Sequence, residues 1–352
     1  MDRFRDRLRQ LGEMHEQERN LRPHHGVAAA EVSEFRQFAL HPIVGPNKQG
    51  FGSEALFHAG WDDAFRGDPN ITARIMLDNW LLYGFEELIG ERAVFLNCTR
   101  DTLMSGFLSL LPHSAVFKIL ESVKPDDEVL SVCRSLKAAG YRFALDDFKS
   151  PEKMEEFLDL ADFIKVDFRH SGRRERACML RRLKLTSATL IAEKIESEEE
   201  FLHAVEEGFG LFQGDYLGEG ITCVKKRDSL NPMNCTRILE AVQGSDFTVE
   251  ELVQLINLES GIECRLLRWA NWASPTGAVI NSTRDALEVA GKPEIQKIVT
   301  LAMRAASEKG VKPRSIPHQL SSVRQGPDTM VRWIDTGART RWWHGTGRGN
   351  VL

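Results

Sequence analysis

The chain has 352 residues, a net charge of −5 at pH 7, and 42% hydrophobic and 28% charged residues. This length accommodates two domains, and the composition is ordinary for a soluble globular protein. The acidic net charge argues against a general or sequence-specific nucleic-acid-binding protein. The six cysteines include no CxxC pair, which favours reduced thiols in a cytoplasmic protein over a disulfide framework or a zinc site. No apolar run is long enough to span a membrane, and the charged start excludes a signal peptide.

Residues 1–30 are predicted to form a charged N-terminal segment with a helix over 1–22. An apolar stripe lies along one face of this helix, formed by Phe4, Leu8, Leu11 and Met14. Such a stripe could dock on the main domain or pair with a second copy. A solvated helix with frayed ends fits the pattern equally well.

Between residues 31 and 222, short apolar strands alternate with helices. Strands are predicted over 35–44, 50–57, 93–97, 115–121, 141–148, 163–167, 189–193 and 210–216. The helices are predicted over 71–89, 126–139, 151–160, 173–185 and 198–207, and residues 45–50 have the chemistry of a hairpin turn. This alternation predicts an α/β fold with a parallel sheet closed into a (β/α) barrel of the TIM type. A doubly wound open sheet is the alternative, but its glycine-rich phosphate turn after the first strand is missing from the sequence.

Most of these strands end in a polar residue, which predicts a polar ring at the carboxyl-terminal face of the barrel. The strand over 141–148 is the most informative, because its apolar run ends in adjacent carboxylates, Asp146 and Asp147. Two such groups repel each other unless a divalent cation, a lysine or a proton offsets their charge. A pair of residues that caps the following helix is the alternative interpretation.

Six short motifs at the strand ends, in this order, resemble those of the EAL domain, the bacterial cyclic di-GMP phosphodiesterase family. The resemblance covers about residues 35–220 and rests on Glu54-Ala-Leu56, Phe95-Leu-Asn97, Asp146-Asp147-Phe148, Lys165-Val-Asp167, Ala192-Glu-Lys-Ile-Glu196 and Gln213-Gly-Asp-Tyr216. Each motif alone is weakly specific, whereas the set of six in order is strongly specific.

The resemblance implies hydrolysis of cyclic di-GMP to linear pGpG, assisted by Mg²⁺ or Mn²⁺. By the same resemblance, the metal ligands are Glu54, Asn97, Asp146 and Asp147. Glu193 acts as ligand or general base, Lys165 orients the water, and Gln213 holds the network. Glu121 steadies the loop after Asp147, and His58 takes the place of a phosphate-binding arginine.

Several positions depart from the family pattern. Lys118 stands where the family has a metal-ligating glutamate, and an ammonium about 4 Å from a divalent ion costs several kcal/mol even at an effective dielectric near 20. Pro151 prevents the loop over 149–153 from copying the family's glycine-rich conformation, and Lys194 replaces a glycine. Lys118 could instead pair with Glu54 and Asp146 and replace the metal's charge. The acids would then form a structural ion-pair ring around Lys118 and Lys165, with no bound metal.

After residue 228 the pattern becomes helical, with helices predicted over 234–243, 248–258, 262–273, 283–290 and 293–306. Within residues 228–306, the segments 266–275 and 280–291 resemble the start of the HDOD domain, a helical relative of the HD phosphohydrolases. Only the front part of such a domain is matched, which predicts a truncated HDOD-like domain. Generic amphipathic helices packed on the barrel are the alternative.

Residues 307–352 are rich in Gly, Pro, Arg, Thr and Trp, and we expect them to be poorly ordered. Their Trp-rich basic patch could bind nucleic acid or membrane, and a tail left by truncation or a frame change fits equally well.

Together these features predict a cytoplasmic bacterial signalling protein with a degenerate EAL barrel. It would bind a protein partner, through the helical domain, or cyclic di-GMP, without efficient hydrolysis. The alternative is a metal-dependent cyclic di-GMP phosphodiesterase, and the sequence leaves the oligomeric state open.

Overall fold

A computed structural model describes residues 35–57, 69–85, 90–146, 156–183, 186–218, 220–226, 228–244, 248–274 and 277–307. The predictions made for the N-terminal segment over 1–30, for His58 and Asp147, for the loop over 149–153 and for the tail after residue 307 lie outside these residues.

Eight strands close into a barrel. They are β1 (Phe35–Val44), β2 (Gly50–Phe57), β3 (Ala93–Cys98), β4 (Ala115–Ile119), β5 (Arg142–Leu145), β6 (Phe163–Asp167), β7 (Thr189–Glu193) and β8 (Leu211–Phe212). Strands β2 to β8 pair in parallel in chain order. Strand β1 closes the ring because it pairs antiparallel with both β2 and β8. The predicted (β/α) barrel is therefore confirmed, and the open doubly wound sheet is wrong.

A ninth strand, β9 (Ile221–Lys226), lies beside β1 in the sheet and was not predicted from the sequence. The hairpin predicted between β1 and β2 is present. Its turn is closed by two backbone hydrogen bonds between Gly45 and the pair Lys48 and Gln49. Lys48 adopts a left-handed backbone conformation in this turn (φ 58°).

The barrel encloses one apolar layer, and a second, larger layer fills the space between the strands and the outer helices. The inner layer contains Ile43, Ala93, Phe95, Val116, Ala144, Phe163, Ile191 and Leu211. Strands with apolar contacts on both faces carry nearly continuous apolar runs. This explains why these segments are visible in the sequence as short hydrophobic stretches.

Five helices of the barrel have both ends within the described residues: α1 (Pro69–Tyr83), α2 (Arg100–Met104), α3 (Asp127–Ala138), α4 (Arg173–Leu183) and α5 (Glu198–Glu207). Side chains cap the amino-terminal ends of three of them. Thr99, Asp126 and Ser197 each accept a hydrogen bond from a backbone N–H in the first turn of α2, α3 and α5.

Four helices follow the barrel: α6 (Pro232–Gln243), α7 (Val249–Asn257), α8 (Ser260–Ala273) and α9 (Thr283–Ser307). Helix α9 is interrupted at Gly291 (φ 67°), two residues before Pro293, at the gap predicted between the helices over 283–290 and 293–306. Helices α8 and α9 pack against α1 of the barrel. Within the described ranges, no helix is both long and apolar enough to cross a membrane.

Candidate functional site

A layer of polar side chains forms the candidate site. It lies next to the inner apolar layer, two residues further along the strands. Alternate residues of a strand point to the same side, so a residue two positions after an inner-layer residue also faces the barrel interior. Asn97, Lys118, Asp146, Lys165, Glu193 and Gln213 each follow an inner-layer residue in this way. Because the strands are parallel, these side chains converge at the carboxyl-terminal end of the barrel.

Lys118 lies between two carboxylates. Its Nζ is 2.6 Å from Oε1 of Glu54 and 2.9 Å from Oδ2 of Asp146. Lys118 is 5% exposed and Glu54 is 4% exposed, so this is a buried ion pair with little access for water. This is the pairing that the sequence left open as the alternative to metal binding.

Lys165 approaches Glu54 from the opposite side of the barrel. Its Nζ is 2.8 Å from Oε2 of Glu54 and also contacts Oε1 of Glu193. The side-chain amide of Gln213 donates a hydrogen bond of 2.9 Å to the same Oε2. Both oxygens of Glu54 are therefore engaged, and the network joins strands β2, β4, β6 and β7.

The charges of this network shift the pKa values of its members. Burial opposes the ionisation of Glu54, but the adjacent Lys118 and Lys165 outweigh it and hold its pKa well below the usual range. Burial likewise opposes the protonated form of Lys118, but Glu54 and Asp146 raise its pKa above the usual range. For Glu193, burial dominates over the nearby Lys165, and its pKa is raised. The centre of the site is thus a carboxylate held ionised by two ammonium groups.

Two buried acceptors near this network have no hydrogen-bond partner among the described residues: Oδ1 of Asn97 and Oε1 of Gln213. Asn97 lies directly opposite Lys118 in the β3–β4 register. Leaving a buried carbonyl unpaired costs about 1–3 kcal/mol, so both positions suit a bound water, a donor group of a ligand or a cation.

A cavity of about 260 Å³ opens beside the network. It is lined by His41, Pro42, Glu54, Leu56, Glu193, Lys194, Glu196, Gln213, Gly214, Asp215 and Gly218. Glu121, predicted to support the loop after Asp147, is exposed beyond the end of β4 and takes no part in the buried network as described. His58 and Asp147 lie outside the described residues.

Sequence reasoning missed a second cluster, which lies at the ends of β6 and β7. Asp167 is 4% exposed. Its carboxylate accepts a hydrogen bond of 2.7 Å from Nδ1 of His170 and contacts Nζ of Lys194. Burial opposes ionisation of Asp167, but hydrogen bonds from Lys194 and His170 lower its pKa below the usual range. Lys194 itself has a left-handed backbone conformation (φ 60°). One indication that this position is unusual was present in the sequence, because Lys194 stands where the EAL pattern has a glycine.

The described residues around Glu54 and Asp146 do not form a suitable binding site for a divalent metal ion. The ammonium of Lys118 lies between Glu54 and Asp146, the two carboxylates that would bind such an ion, and the other oxygen of Glu54 is bonded to Lys165. A divalent ion about 4 Å from Lys118 would be repelled by several kcal/mol at an effective dielectric near 20. Among the described residues, no three His, Cys, Asp or Glu side chains are grouped so that they could hold a metal.

No protein-family model matches the chain. In sequence, the chain is similar to uncharacterized protein YuxH of Bacillus subtilis strain 168, with 25% identity over 295 residues, which are 81% of this chain and 71% of YuxH. It is also similar to cyclic di-GMP phosphodiesterase CdgJ of Vibrio cholerae serotype O1, with 28% identity over 273 residues. This second similarity covers 75% of this chain and 63% of CdgJ, so it spans less than two thirds of that relative.

Two solved structures illustrate the similarity in fold. The EAL domain of Mycobacterium smegmatis DcpA has a TM-score of 0.44 and 18% identity, and covers 53% of this chain and 93% of that structure. BlrP1 of Klebsiella pneumoniae, in a complex with calcium and cyclic di-GMP, has a TM-score of 0.43 and 22% identity, and covers 59% of this chain and 61% of that structure. The resemblance found in the six strand-end motifs agrees with these similarities, which include a cyclic di-GMP phosphodiesterase and solved EAL domains.

Proposed function

We propose that this chain is a cytoplasmic regulatory protein of cyclic di-GMP signalling whose EAL-type site works without a divalent metal. In this proposal the barrel over residues 31–222 binds cyclic di-GMP or supports binding of a protein partner, and it does not hydrolyse the nucleotide efficiently. The helical region over 228–306 acts as a partial HDOD-like domain that binds the partner. The similarity to CdgJ supports the link to cyclic di-GMP.

The observation that carries the proposal is the position of Lys118 between Glu54 and Asp146. Metal-assisted phosphodiester hydrolysis needs a cation with free coordination positions, because the cation activates a water and binds the phosphate. An ammonium supplies positive charge, but it has no vacant coordination position and does not acidify a water in this way. Lys118 therefore balances the negative charge of Glu54 and Asp146, but it cannot replace the metal ion in phosphodiester hydrolysis.

Calorimetric titration of cyclic di-GMP into the purified protein tests this proposal, with Mg²⁺ in one series and EDTA in the other. We expect the same dissociation constant in both series and no linear pGpG in the recovered samples. The same constant without product in both series supports a metal-independent nucleotide sensor. Absence of binding in both leaves the protein-partner role, which capture of a partner with the full chain would then test. Linear pGpG that disappears with EDTA would overturn the proposal.

A substitution at Lys118 tests directly whether the ammonium of this residue prevents metal binding. In Lys118→Glu a third carboxylate joins Glu54 and Asp146, and hard oxygen ligands of this kind bind Mg²⁺ and Mn²⁺. We expect Mn²⁺ to raise the melting temperature of this variant and to leave that of the unmodified protein unchanged. Lys118→Met is the matched control, since it removes the ammonium without adding a ligand. An equal response of both variants to Mn²⁺ would contradict the role given to Lys118.

A second candidate function is a cyclic di-GMP phosphodiesterase that uses Mg²⁺ or Mn²⁺ and forms linear pGpG. Two observations favour it: the convergence of Glu54, Lys165 and Glu193 at one barrel end, and the unpaired acceptors of Asn97 and Gln213. In this alternative the metal ligands are Glu54, Asn97, Asp146 and Asp147, and the further site residues are Glu193, Lys165, Gln213, Glu121 and His58. Product that forms with Mn²⁺ and is lost in Glu54→Gln would establish this alternative.

A further inference from the structure

A second cavity, also of about 260 Å³, lies at the boundary between the barrel and the helical region. Helices α1 and α2 of the barrel form part of its wall, and α9 of the helical region, which packs on α1, forms another part. The cavity is lined by Arg74, Asp101, Thr102, Met104, Ser105 and Arg304. None of these residues lines the cavity beside Glu54, so an inference drawn from them does not rest on the function proposed above.

The hydroxyl groups of this cavity are already engaged within the protein. The Thr102 hydroxyl is 2.9 Å from that of Thr99. The Ser105 hydroxyl donates a hydrogen bond of 2.7 Å to the Thr102 carbonyl and accepts one of 3.2 Å from the N–H of Phe107. The three charged side chains therefore decide which ligand the cavity can bind.

Two guanidinium groups line the cavity, one from each region. Arg74 lies on α1 and is partly buried, whereas Arg304 lies on α9 and is exposed. The guanidinium carbon of Arg304 is 5.8 Å from the centre of the Phe107 ring, and among the described residues this guanidinium has no ion-pair partner. A guanidinium is always charged, and its planar set of donors matches the two oxygens of a carboxylate. The two arginines thus predict a ligand with anionic groups.

Asp101 adds one negative charge to the lining. It lies in the first turn of α2 and is exposed. Although Asp101 and Arg304 line the same cavity, the described structure contains no ion pair between them. A carboxylate in this place repels a multiply charged anion such as phosphate and attracts an ammonium group. Asp101 therefore predicts that the ligand also carries a positive charge.

We propose that this cavity binds a free acidic α-amino acid. The two carboxylates of the ligand pair with Arg74 and Arg304, and its ammonium pairs with Asp101. The ligand carries two negative charges and one positive charge, which complement the two positive charges and one negative charge of the lining. Met104, which is 37% exposed, supplies an apolar contact for the methylene carbons of the ligand.

Size and charge favour this class of ligand over the alternatives. The volume lies just below the range of about 300–1,000 Å³ that is common for drug-sized ligands, so a small metabolite fits better than a dinucleotide. A phosphate ion would pair with the arginines but would be repelled by Asp101. A neutral amino acid would leave one guanidinium without a partner, and a diamine would leave both. An acidic amino acid satisfies all three charged side chains.

The bound amino acid would connect the two regions of the chain. Arg74 and Asp101 belong to the barrel, whereas Arg304 belongs to the helical region. A ligand that binds only the folded chain stabilises it by mass action. The ligand would therefore strengthen the contact between the regions, which makes the position of the helical region responsive to a metabolite.

Calorimetric titration of the full chain tests the proposal with three compounds of similar size. L-aspartate carries all three charged groups, succinate lacks the ammonium, and L-asparagine lacks the second carboxylate. We expect L-aspartate to bind at least about tenfold more tightly than either of the others, because each missing group removes a charged hydrogen bond.

Two exposed positions supply the variants. Arg304→Met should raise the dissociation constant of L-aspartate about tenfold or more. Asp101→Asn should bind L-aspartate and succinate equally, because the group that selects the ammonium is lost. Arg284→Met is the matched control, since it removes an exposed arginine of the same helix outside the cavity, and it should bind L-aspartate like the unmodified chain.

Far-ultraviolet circular dichroism verifies that the variants are folded. Absence of L-aspartate binding to the unmodified chain would overturn the proposal, as would unchanged binding in Arg304→Met. A preference for L-aspartate over succinate that persists in Asp101→Asn would also contradict it. Inorganic phosphate that binds more tightly than L-aspartate would show that the cavity is a simple anion site.

Discussion

Lys118 is enclosed in the barrel, and water has too little access to it to replace its carboxylate partners. We therefore expect Lys118→Met to lower the free energy of unfolding by about 3 kcal/mol, because it leaves Glu54 and Asp146 with one cation fewer in a buried place. Urea denaturation followed by circular dichroism measures this change.

Lys137 is the control for the loss of stability expected in Lys118→Met. Its Nζ is 2.6 Å from Oδ2 of Asp162, but the two side chains are 35% and 28% exposed. Half-exposed pairs of this kind contribute at most about 1 kcal/mol, so Lys137→Met should be mild. Equal losses at the two lysines would show that burial does not control the strength of the Lys118 pairs.

Lys194 has a backbone conformation that glycine adopts at little cost (φ 60°). Lys194→Gly and Lys194→Ala both remove the contact with Asp167, but only alanine keeps the Cβ that strains this conformation. We expect the glycine variant to be the more stable of the two by about 1 kcal/mol in urea denaturation.

The order should reverse at Lys137, which lies in the last turn of helix α3. There the backbone is helical, so alanine is favoured over glycine by about 0.5–1 kcal/mol. If Lys194→Ala equalled or exceeded Lys194→Gly in stability, the result would contradict a left-handed backbone conformation at residue 194.

At the scale of elements, Arg265 of α8 forms a buried polar contact between the helical region and the barrel. It is fully buried, and its guanidinium binds both oxygens of Asp78 on α1, at 2.7 Å and 2.9 Å, as well as Asp228 at 2.6 Å. Arg265→Met would remove the guanidinium that contacts the fully buried Asp78 and the partly buried Asp228. We expect a loss of about 3–5 kcal/mol in the free energy of unfolding, measured by urea denaturation.

Arg284→Met is the matched control, because the Arg284–Glu250 pair is 2.7 Å long but 46% and 63% exposed. Its loss should stay below about 1 kcal/mol. Arg265→Lys adds a finer comparison, since lysine keeps the charge but lacks the planar fork that binds Asp78 through two nitrogens. A stable Arg265→Lys variant would indicate that charge alone maintains the contact.

Local sequence patterns predicted most elements, because apolar runs and capping residues are local properties. Strand β9 was missed since its sequence ITCVKK lacks a long apolar run. The buried contact of Arg265 could not be found in this way, as its partner Asp78 lies 187 residues earlier in the chain. The convergence of polar strand ends was predictable from the strand pattern, because strand ends meet in a barrel irrespective of their distance along the chain. The family's motifs were needed to select Glu54, Lys118 and Lys165 as members of one site.

At the scale of the whole molecule, the packing of α8 and α9 on α1 makes the helical region continuous with the barrel core. Buried apolar residues of α8, α9 and α1 belong to one cluster with the residues between the strands and the outer helices. We therefore expect the helical region and the barrel to unfold together. Hydrogen exchange in increasing urea should show amides in β3–β7 and in α8–α9 losing protection at the same urea concentration.

Arg265→Met distinguishes joint unfolding of the helical region and the barrel from independent unfolding of two regions that have equal stability. The variant weakens the contact between the regions and leaves the barrel interior intact, so the helical amides should lose protection at lower urea than the strands. The Arg284→Met control should keep a single transition, because its exposed pair lies within the helical region. If the unmodified chain already showed two transitions, the helical region would be an independent unit, and the buried Arg265 pairs would contribute little to its stability.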